Sequence, residues 1–125
     1  MEGQAPHLPY AAPIEAYGKG GFRFADMSHR GSLLCLPDGI WASSVARFED
    51  LNDDTLAAVL ARAGAVTHLL IGAGARSAIL PAALRQKFAD AKISVEVMPT
   101  GAAISTYNIL LDERRPVAAL LIATP

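Results

Sequence analysis

Residues 66–103, VTHLLIGAGARSAILPAALRQKFADAKISVEVMPTGAA, decide the fold of this chain. An apolar run at 68–71 ends in a glycine turn, and a second run at 94–98 is rich in β-branched residues, as strands buried on both faces are. Both runs are too short to be helices. Between them Pro81 precedes an apolar stripe at helical spacing, which predicts a helix with Pro81 at its first position. The stretch therefore predicts a parallel strand–helix–strand unit.

The carboxyl ends of two parallel strands lie on the same edge of a sheet, so the loops that leave them should meet at one rim. That rim is the candidate place for a ligand, where helix amides and Arg76 would favour a phosphate, a sulfate or a carboxylate. The competing interpretation is that Thr100 only caps the third helix, which is the commoner role of such a residue. The candidate binding residues are Gly72, Gly74, Arg76, Ser77, Thr100 and Gly101.

The glycines at this rim do not form a complete dinucleotide fingerprint. Ser77 stands where a third small residue is needed, and the helix begins only near Pro81. Glu96 lies within a strand, whereas the fingerprint places its acid at a strand end. We therefore predict no nicotinamide or flavin cofactor.

The remainder of the chain predicts antiparallel strands in its N-terminal third and alternating helices and strands after them. Residues 1–13 contain three prolines and predict a surface arm or an added edge contact, and residues 14–125 form one domain. Within it we predict a hairpin at 14–25, a polar turn at 26–31, and strands at 32–36 and 40–44. A helix capped by Asn52 or Asp53 should end at Gly64, a third helix should run over 101–112, and a buried strand over 117–122. The predicted fold class is α/β, a three-layer domain with a mixed, largely parallel central sheet and an N-terminal antiparallel meander.

Composition limits the possible functions. The chain has 125 residues, a net charge of −1 and a pI near 6.3, which argues against binding nucleic acid through a basic surface. No apolar run approaches the length of about 18 to 20 residues that spans a bilayer, so no transmembrane segment is predicted. The single cysteine, Cys35, fits a reducing compartment, and residues 1–13 do not resemble a signal peptide. We expect a soluble, cytoplasmic protein.

Other polar residues have structural interpretations. Tyr107 and Asn108 lie beside the apolar face of the third helix and predict structural hydrogen bonds near the rim. Cys35 lies in an apolar strand and predicts a core residue, not a nucleophile. The histidines lack metal-ligand spacing, so no metal is predicted, and no catalytic constellation appears. The remaining candidates are a solvated polar turn and two apolar residues that would anchor a partner if exposed: Asp26, His29, Arg30, Trp41 and Phe48.

Several segments resemble the domain-of-unknown-function family that includes mitochondrial respiratory complex I assembly factor 3 and bacterial and archaeal single-domain proteins. They are IEAYGKGGFRF (14–24), GSLLCLP (31–37) with Trp41, LIGAG (70–74), LPAAL (80–84), VEVMPTGAA (95–103) and TYNILL (106–111). The resemblance implies a three-layer α/β fold and, for the mitochondrial relative, a role in early assembly of the peripheral arm of complex I. Residues 1–13 do not resemble a mitochondrial targeting segment, so we do not expect import into the organelle.

Two functions follow from these observations. The first is a non-enzymatic accessory protein that binds a protein partner, with respiratory complex subunits as the candidates. The alternative is an anion-binding or small-molecule-binding protein, including an enzyme, that uses the rim. The oligomeric state stays open at this point.

Overall fold

A computed structural model describes residues 5–125 as two β-sheets and three α-helices. The elements in chain order are β1 (Ala16–Gly18), β2 (Gly21–Phe24), β3 (Met27–Arg30), β4 (Ser32–Leu36), β5 (Gly39–Ser43), a short 3-10 helix (Phe48–Asp50), α1 (Asp53–Leu60), β6 (His68–Gly72), α2 (Ala82–Asp90), β7 (Ser94–Met98), α3 (Thr100–Asp112) and β8 (Val117–Leu121). None of the helices within residues 5–125 has the length and apolarity needed to cross a bilayer.

The larger sheet has the strand order β5-β4-β8-β6-β7. Strands β6 and β7 are parallel, as predicted, and β8 lies between β4 and β6. Strand β8 is parallel to β6 and antiparallel to β4, which in turn pairs with β5. The predicted mixed sheet is thus confirmed, with its parallel part formed by β8, β6 and β7.

The central sheet buries both of its faces, so the domain has three layers. The face that packs against α1 and α2 carries Leu34, Leu36, Leu69, Ile71 and Leu120. The opposite face packs against α3 and the smaller sheet and carries Leu33, Cys35, Leu70, Ala119 and Leu121. Alternate residues of each strand enter different clusters, which is the period of two expected for a sheet covered on both sides.

The smaller sheet, with strand order β1-β2-β3, corrects one prediction. Residues 26–31 were predicted as a polar turn, but Met27–Arg30 forms strand β3 and pairs antiparallel with β2. The turn is shorter, because Ala25 and Asp26 both adopt positive φ, 48° and 62°. Such angles match the twist of a two-residue hairpin but are unusual for alanine, and because no glycine or asparagine occupies the turn, the hairpin was not predicted.

The segment before β1 makes an edge contact. Leu8 forms an isolated antiparallel bridge with Ile40 of β5, and its side chain is buried, as is that of Ala12. Residues 1–4 of the predicted arm lie outside the described residues. His7 and Leu8 therefore pair with the edge strand β5 at Ile40.

The helix boundaries differ from prediction by small amounts. Asn52 caps α1 through an acceptor bond from the Thr55 N–H at 2.9 Å, as predicted. Helix α1 ends at Leu60, before the predicted stop at Gly64. Pro81 is the N-cap of α2 and not its first helical residue.

Candidate functional site

The loops that leave β6 and β7 lie side by side, as the parallel register predicts. Gly72 is level with Met98 across the two strands, and the Ala73 N–H donates to the Met98 carbonyl at 2.8 Å. One step further, the Thr100 N–H donates to the Gly74 carbonyl at 2.8 Å. Main-chain hydrogen bonds therefore tie the two loops to each other at the rim.

Thr100 is fully buried and serves a different purpose from the predicted cap. Its Oγ1 donates to the Ile122 carbonyl at 2.8 Å and accepts from the Gly74 N–H at 3.0 Å. Pro99 occupies the N-cap position, and α3 begins at Thr100. The Thr100 side chain does not cap its own helix. The cap prediction is wrong because β8 ends beside this loop and presents a carbonyl that needs a donor.

Gly72 is packed against the start of α3. A Cβ at residue 72 would lie 2.9 Å from the Thr100 Cα and 3.3 Å from the Ala103 Cβ. Such distances are shorter than van der Waals contact, so glycine is needed for the close approach of strand and helix. Gly72 and Thr100 thus form a closed, packed part of the rim.

A concavity of about 620 Å³ lies next to this closed part. It is lined by Tyr17, Gly74, Ala75, Pro99, Gly101, Ala102, Ser105, Thr124 and Pro125. The Tyr17 hydroxyl reaches over Gly101, where a side chain would collide with it. Within the described part of the chain, this lining contains no charged side chain.

The six candidate binding residues therefore separate into three groups. Gly74 and Gly101 line the concavity, whereas Gly72 and Thr100 are buried against each other. Arg76 and Ser77 are exposed in the loop before α2, and the Ser77 Oγ donates to the Val97 carbonyl at 3.1 Å. Neither of them lines the concavity. Arg76 therefore supplies no charge to the lining, where a ligand would meet the hydroxyls of Tyr17, Ser105 and Thr124 and the start of α3.

Tyr107 and Asn108 attach the N-terminal segment to α3. The Tyr107 hydroxyl donates to the Ala12 carbonyl at 3.1 Å. The Asn108 amide donates to the Ile14 carbonyl at 2.8 Å and accepts from the Ile14 N–H at 2.9 Å, as a neighbouring strand would. Burial raises the pKa of Tyr107, which keeps its hydroxyl protonated as a donor. Both side chains are structural connectors.

The remaining reactive or anchoring side chains are engaged in the core. Cys35 is fully buried, and desolvation raises the pKa of its thiol to about 12, so it is protonated near neutral pH. Trp41 is buried and Phe48 is half-buried against the core, which removes Trp41 as an exposed anchor. The rings of His7 and His29 lie 4.8 Å apart. No group of three or more His, Cys, Asp or Glu side chains within residues 5–125 is placed to hold a metal ion.

Sequence reasoning missed a second concavity, of about 440 Å³, on the outer face of the small sheet. It is lined by Ala16, Tyr17, Gly18, Lys19, Gly21, Phe22, Arg23, Ser28, His29 and Arg30. The signal was present in the alternation of Phe22, Arg23 and Phe24, which places the arginine opposite two core residues. It could be recognised only once residues 27–30 were known to form a strand.

The molecule is thus a small three-layer α/β domain. Residues 14–122 match the family described as a protein of unknown function (DUF498/DUF598), and this chain belongs to that family. The resemblance found in the sequence is confirmed.

Known proteins similar to this chain are bacterial and mitochondrial. An uncharacterised protein of Rhodobacter capsulatus is 39% identical over 125 residues, covering 100% of this chain and 95% of the relative. NADH dehydrogenase [ubiquinone] 1 alpha subcomplex assembly factor 3 of Drosophila melanogaster is 32% identical over 87% of this chain. The match spans 57% of the length of that relative.

A solved structure shares the whole fold. The crystal structure of an outer membrane protein from Bartonella henselae has a TM-score of 0.91 and 46% sequence identity. It covers 95% of this chain and 100% of that one. Agreement at this level confirms the three-layer architecture and its strand order.

Proposed function

We propose that this chain is a non-enzymatic accessory protein that binds a protein partner, and that the partner is a subunit of respiratory complex I during assembly. The observation that carries the proposal is the 32% identity to an animal complex I assembly factor over 87% of this chain. Because the match takes in 57% of that factor, the proposal assigns the partner-binding role to the shared domain.

The engagement of potentially reactive side chains in the core supports a binding role. Among residues 5–125, the thiol of Cys35 and the hydroxyl of Tyr107 are buried in one core cluster, and the buried hydroxyls of Ser32 and Thr100 form hydrogen bonds to the main chain. Thr100 and Gly72, which the sequence offered as ligand contacts, hold the sheet to α3. We propose a cytoplasmic location, with which a single buried cysteine is compatible.

Affinity capture from the native cell tests the proposal directly. The tagged chain would be expressed at its natural level, crosslinked in growing cells, purified and analysed by mass spectrometry. We expect enrichment of subunits of NADH:ubiquinone oxidoreductase over a tagged control domain of similar size. Recovery of no respiratory subunit under respiring and fermenting growth would contradict the proposal.

A genetic test examines assembly itself. Deleting the gene should lower the amount of intact complex I on native gels and its NADH:ubiquinone oxidoreductase activity, while succinate dehydrogenase activity in the same membranes stays unchanged. Rescue by the intact chain should restore both measurements. Equal complex I levels with and without the gene would reject the assembly role.

A further inference from the structure

The outer face of the small sheet concentrates positive charge. We call the surface formed by Lys19, Arg23 and Arg30 the basic face. All three residues are exposed and line the concavity of about 440 Å³. Among the described residues no aspartate or glutamate lines this concavity, although the whole chain has a net charge of −1. The charge is therefore local and opposite in sign to that of the protein.

The strand register fixes the two arginines on one face. Phe22 and Phe24 of β2 point into the core, so Arg23 between them points outward. Arg23 is opposite Ser28, and Arg30 lies two residues further along β3, opposite Gly21. Diagonal positions of this kind on neighbouring strands are about 7 to 8 Å apart.

The surface between the basic side chains is formed by residues with small or no side chains. A Cβ at Gly21 would collide with the His29 carbonyl, so the pairing of β2 with β3 requires glycine at this position. On β1, Ala16 and Gly18 lie on the same side of the sheet as Arg23 and also line the concavity. An extended chain could therefore approach the sheet closely while its side chains meet the arginines.

The cations of the basic face are available to a partner. The ion pairs within residues 5–125 use other basic side chains, namely Arg47, Arg62, Lys87 and Arg115. The side chains of Lys19, Arg23 and Arg30 form no hydrogen bond or ion pair in this part of the chain. Exposed guanidinium groups bind carboxylates in a bidentate manner, which favours Arg at recognition surfaces.

We propose that the basic face docks an extended acidic segment of the protein partner. Alternate side chains of an extended chain are about 6.5 Å apart, close to the diagonal spacing of Arg23 and Arg30. Two carboxylates at alternate positions thus match the two arginines, and Lys19 at the β1–β2 turn meets a third negative group. This inference rests on the proposed function for the identity of the partner, but its chemistry can be tested separately.

The test uses the full chain and a fluorescein-labelled peptide of alternating Glu and Ser, with a Gln and Ser peptide as the neutral comparison. Binding is followed by fluorescence anisotropy with wild type, with Arg23→Glu/Arg30→Glu, and with Arg85→Glu/Arg114→Glu. The last variant is a matched control, since it makes the same charge change at two exposed arginines outside the basic face. Circular dichroism and thermal unfolding establish that all three proteins are folded.

We expect wild type and the control variant to bind the Glu peptide equally and the Gln peptide much more weakly. Reversal at Arg23 and Arg30 should weaken binding by about tenfold or more, and added salt should weaken wild-type binding. Equal affinity of the two charge-reversal variants would overturn the proposal. Displacement of the peptide by an equal concentration of inorganic phosphate would also overturn it, since this indicates a single-anion site. Tighter binding of a single-stranded oligonucleotide than of the Glu peptide would do the same.

Affinity capture separates failure of this inference from failure of the proposed function. If wild type and Arg23→Glu/Arg30→Glu recover complex I subunits equally, the basic face is not the docking surface and the proposed function stands. If wild type recovers none, the proposed function fails whatever the peptide result. Loss of capture only in the basic-face variant supports both.

Discussion

Thr100 packs so closely over Gly72 that a methyl group on residue 72 would lie 2.9 Å from the Thr100 Cα. The same threonine joins the loop after β6 to the end of β8 through its buried hydroxyl. Two residues that the sequence suggested as ligand contacts therefore fasten α3 onto the central sheet. Substitutions of Gly72 or Thr100 should therefore change the free energy of unfolding of the protein.

Gly72→Ala should destabilise the fold by about 1 to 3 kcal/mol, because the new methyl group meets backbone that cannot move without shifting α3. Gly101→Ala is the contrasting variant. There the obstacle is the end of the Tyr17 side chain, which is 50% exposed and can rotate away, and alanine favours the helix by about 0.5 to 1 kcal/mol. Urea unfolding of both variants measures the difference. A Gly72→Ala protein as stable as Gly101→Ala would contradict the close packing.

Thr100→Val should cost about 2 to 4 kcal/mol of unfolding free energy. The shape is retained, but the Ile122 carbonyl loses its donor and the Gly74 N–H loses its acceptor in a buried place. Thr100→Ser keeps the hydroxyl and loses one methyl group, so it should cost only about 1 kcal/mol. Chemical denaturation ranks the two variants. If Ser is as damaging as Val, methyl packing and not hydrogen bonding is the main contribution of Thr100.

Asn108→Ala should release the N-terminal segment from α3. It removes both side-chain bonds to the Ile14 backbone, and we expect a loss of about 2 kcal/mol. Hydrogen exchange should accelerate at the Ile14 amide more than at the amides of β6. Ser105→Ala is the control, since its exposed hydroxyl bonds only within α3, to the Gly101 carbonyl. Unchanged protection at Ile14 in Asn108→Ala would show that other contacts hold the segment.

The central unit could be predicted because local patterns determine it. Apolar runs of strand length, a helical stripe after Pro81 and the parallel crossover rule fixed the geometry of β6, α2 and β7. The position of β8 between β4 and β6 could not be predicted, because hydrophobic periodicity indicates that a segment is a strand but not which strands it pairs with. The role of Thr100 depends on that position, since its acceptor is the carbonyl of Ile122 beyond β8.

The basic face was missed for a related reason. Strand β3 carries Ser28 and Arg30 outward, and its inward side is not a regular apolar series, so composition favours a loop. Its turn uses Ala25 at positive φ, a conformation with little sequence signal. Without β3, Arg30 has no strand partner, and its placement beside Arg23 cannot be inferred.

Alkaline pH should destabilise the protein partly through Cys35. Burial raises the pKa of the folded thiol from 9.0 to about 12, so the unfolded thiol ionises first as pH increases. A group whose folded pKa is raised contributes its stability below the unfolded pKa and loses it between pH 9 and about 12. From pH 8 to pH 10 the loss is on the order of 1 kcal/mol. Cys35→Ala lacks this thiol, so its free energy of unfolding, measured by urea titration at each pH, should decline less steeply by that amount. Parallel pH profiles for the two proteins would show that the folded thiol ionises as easily as the unfolded one, contrary to its complete burial.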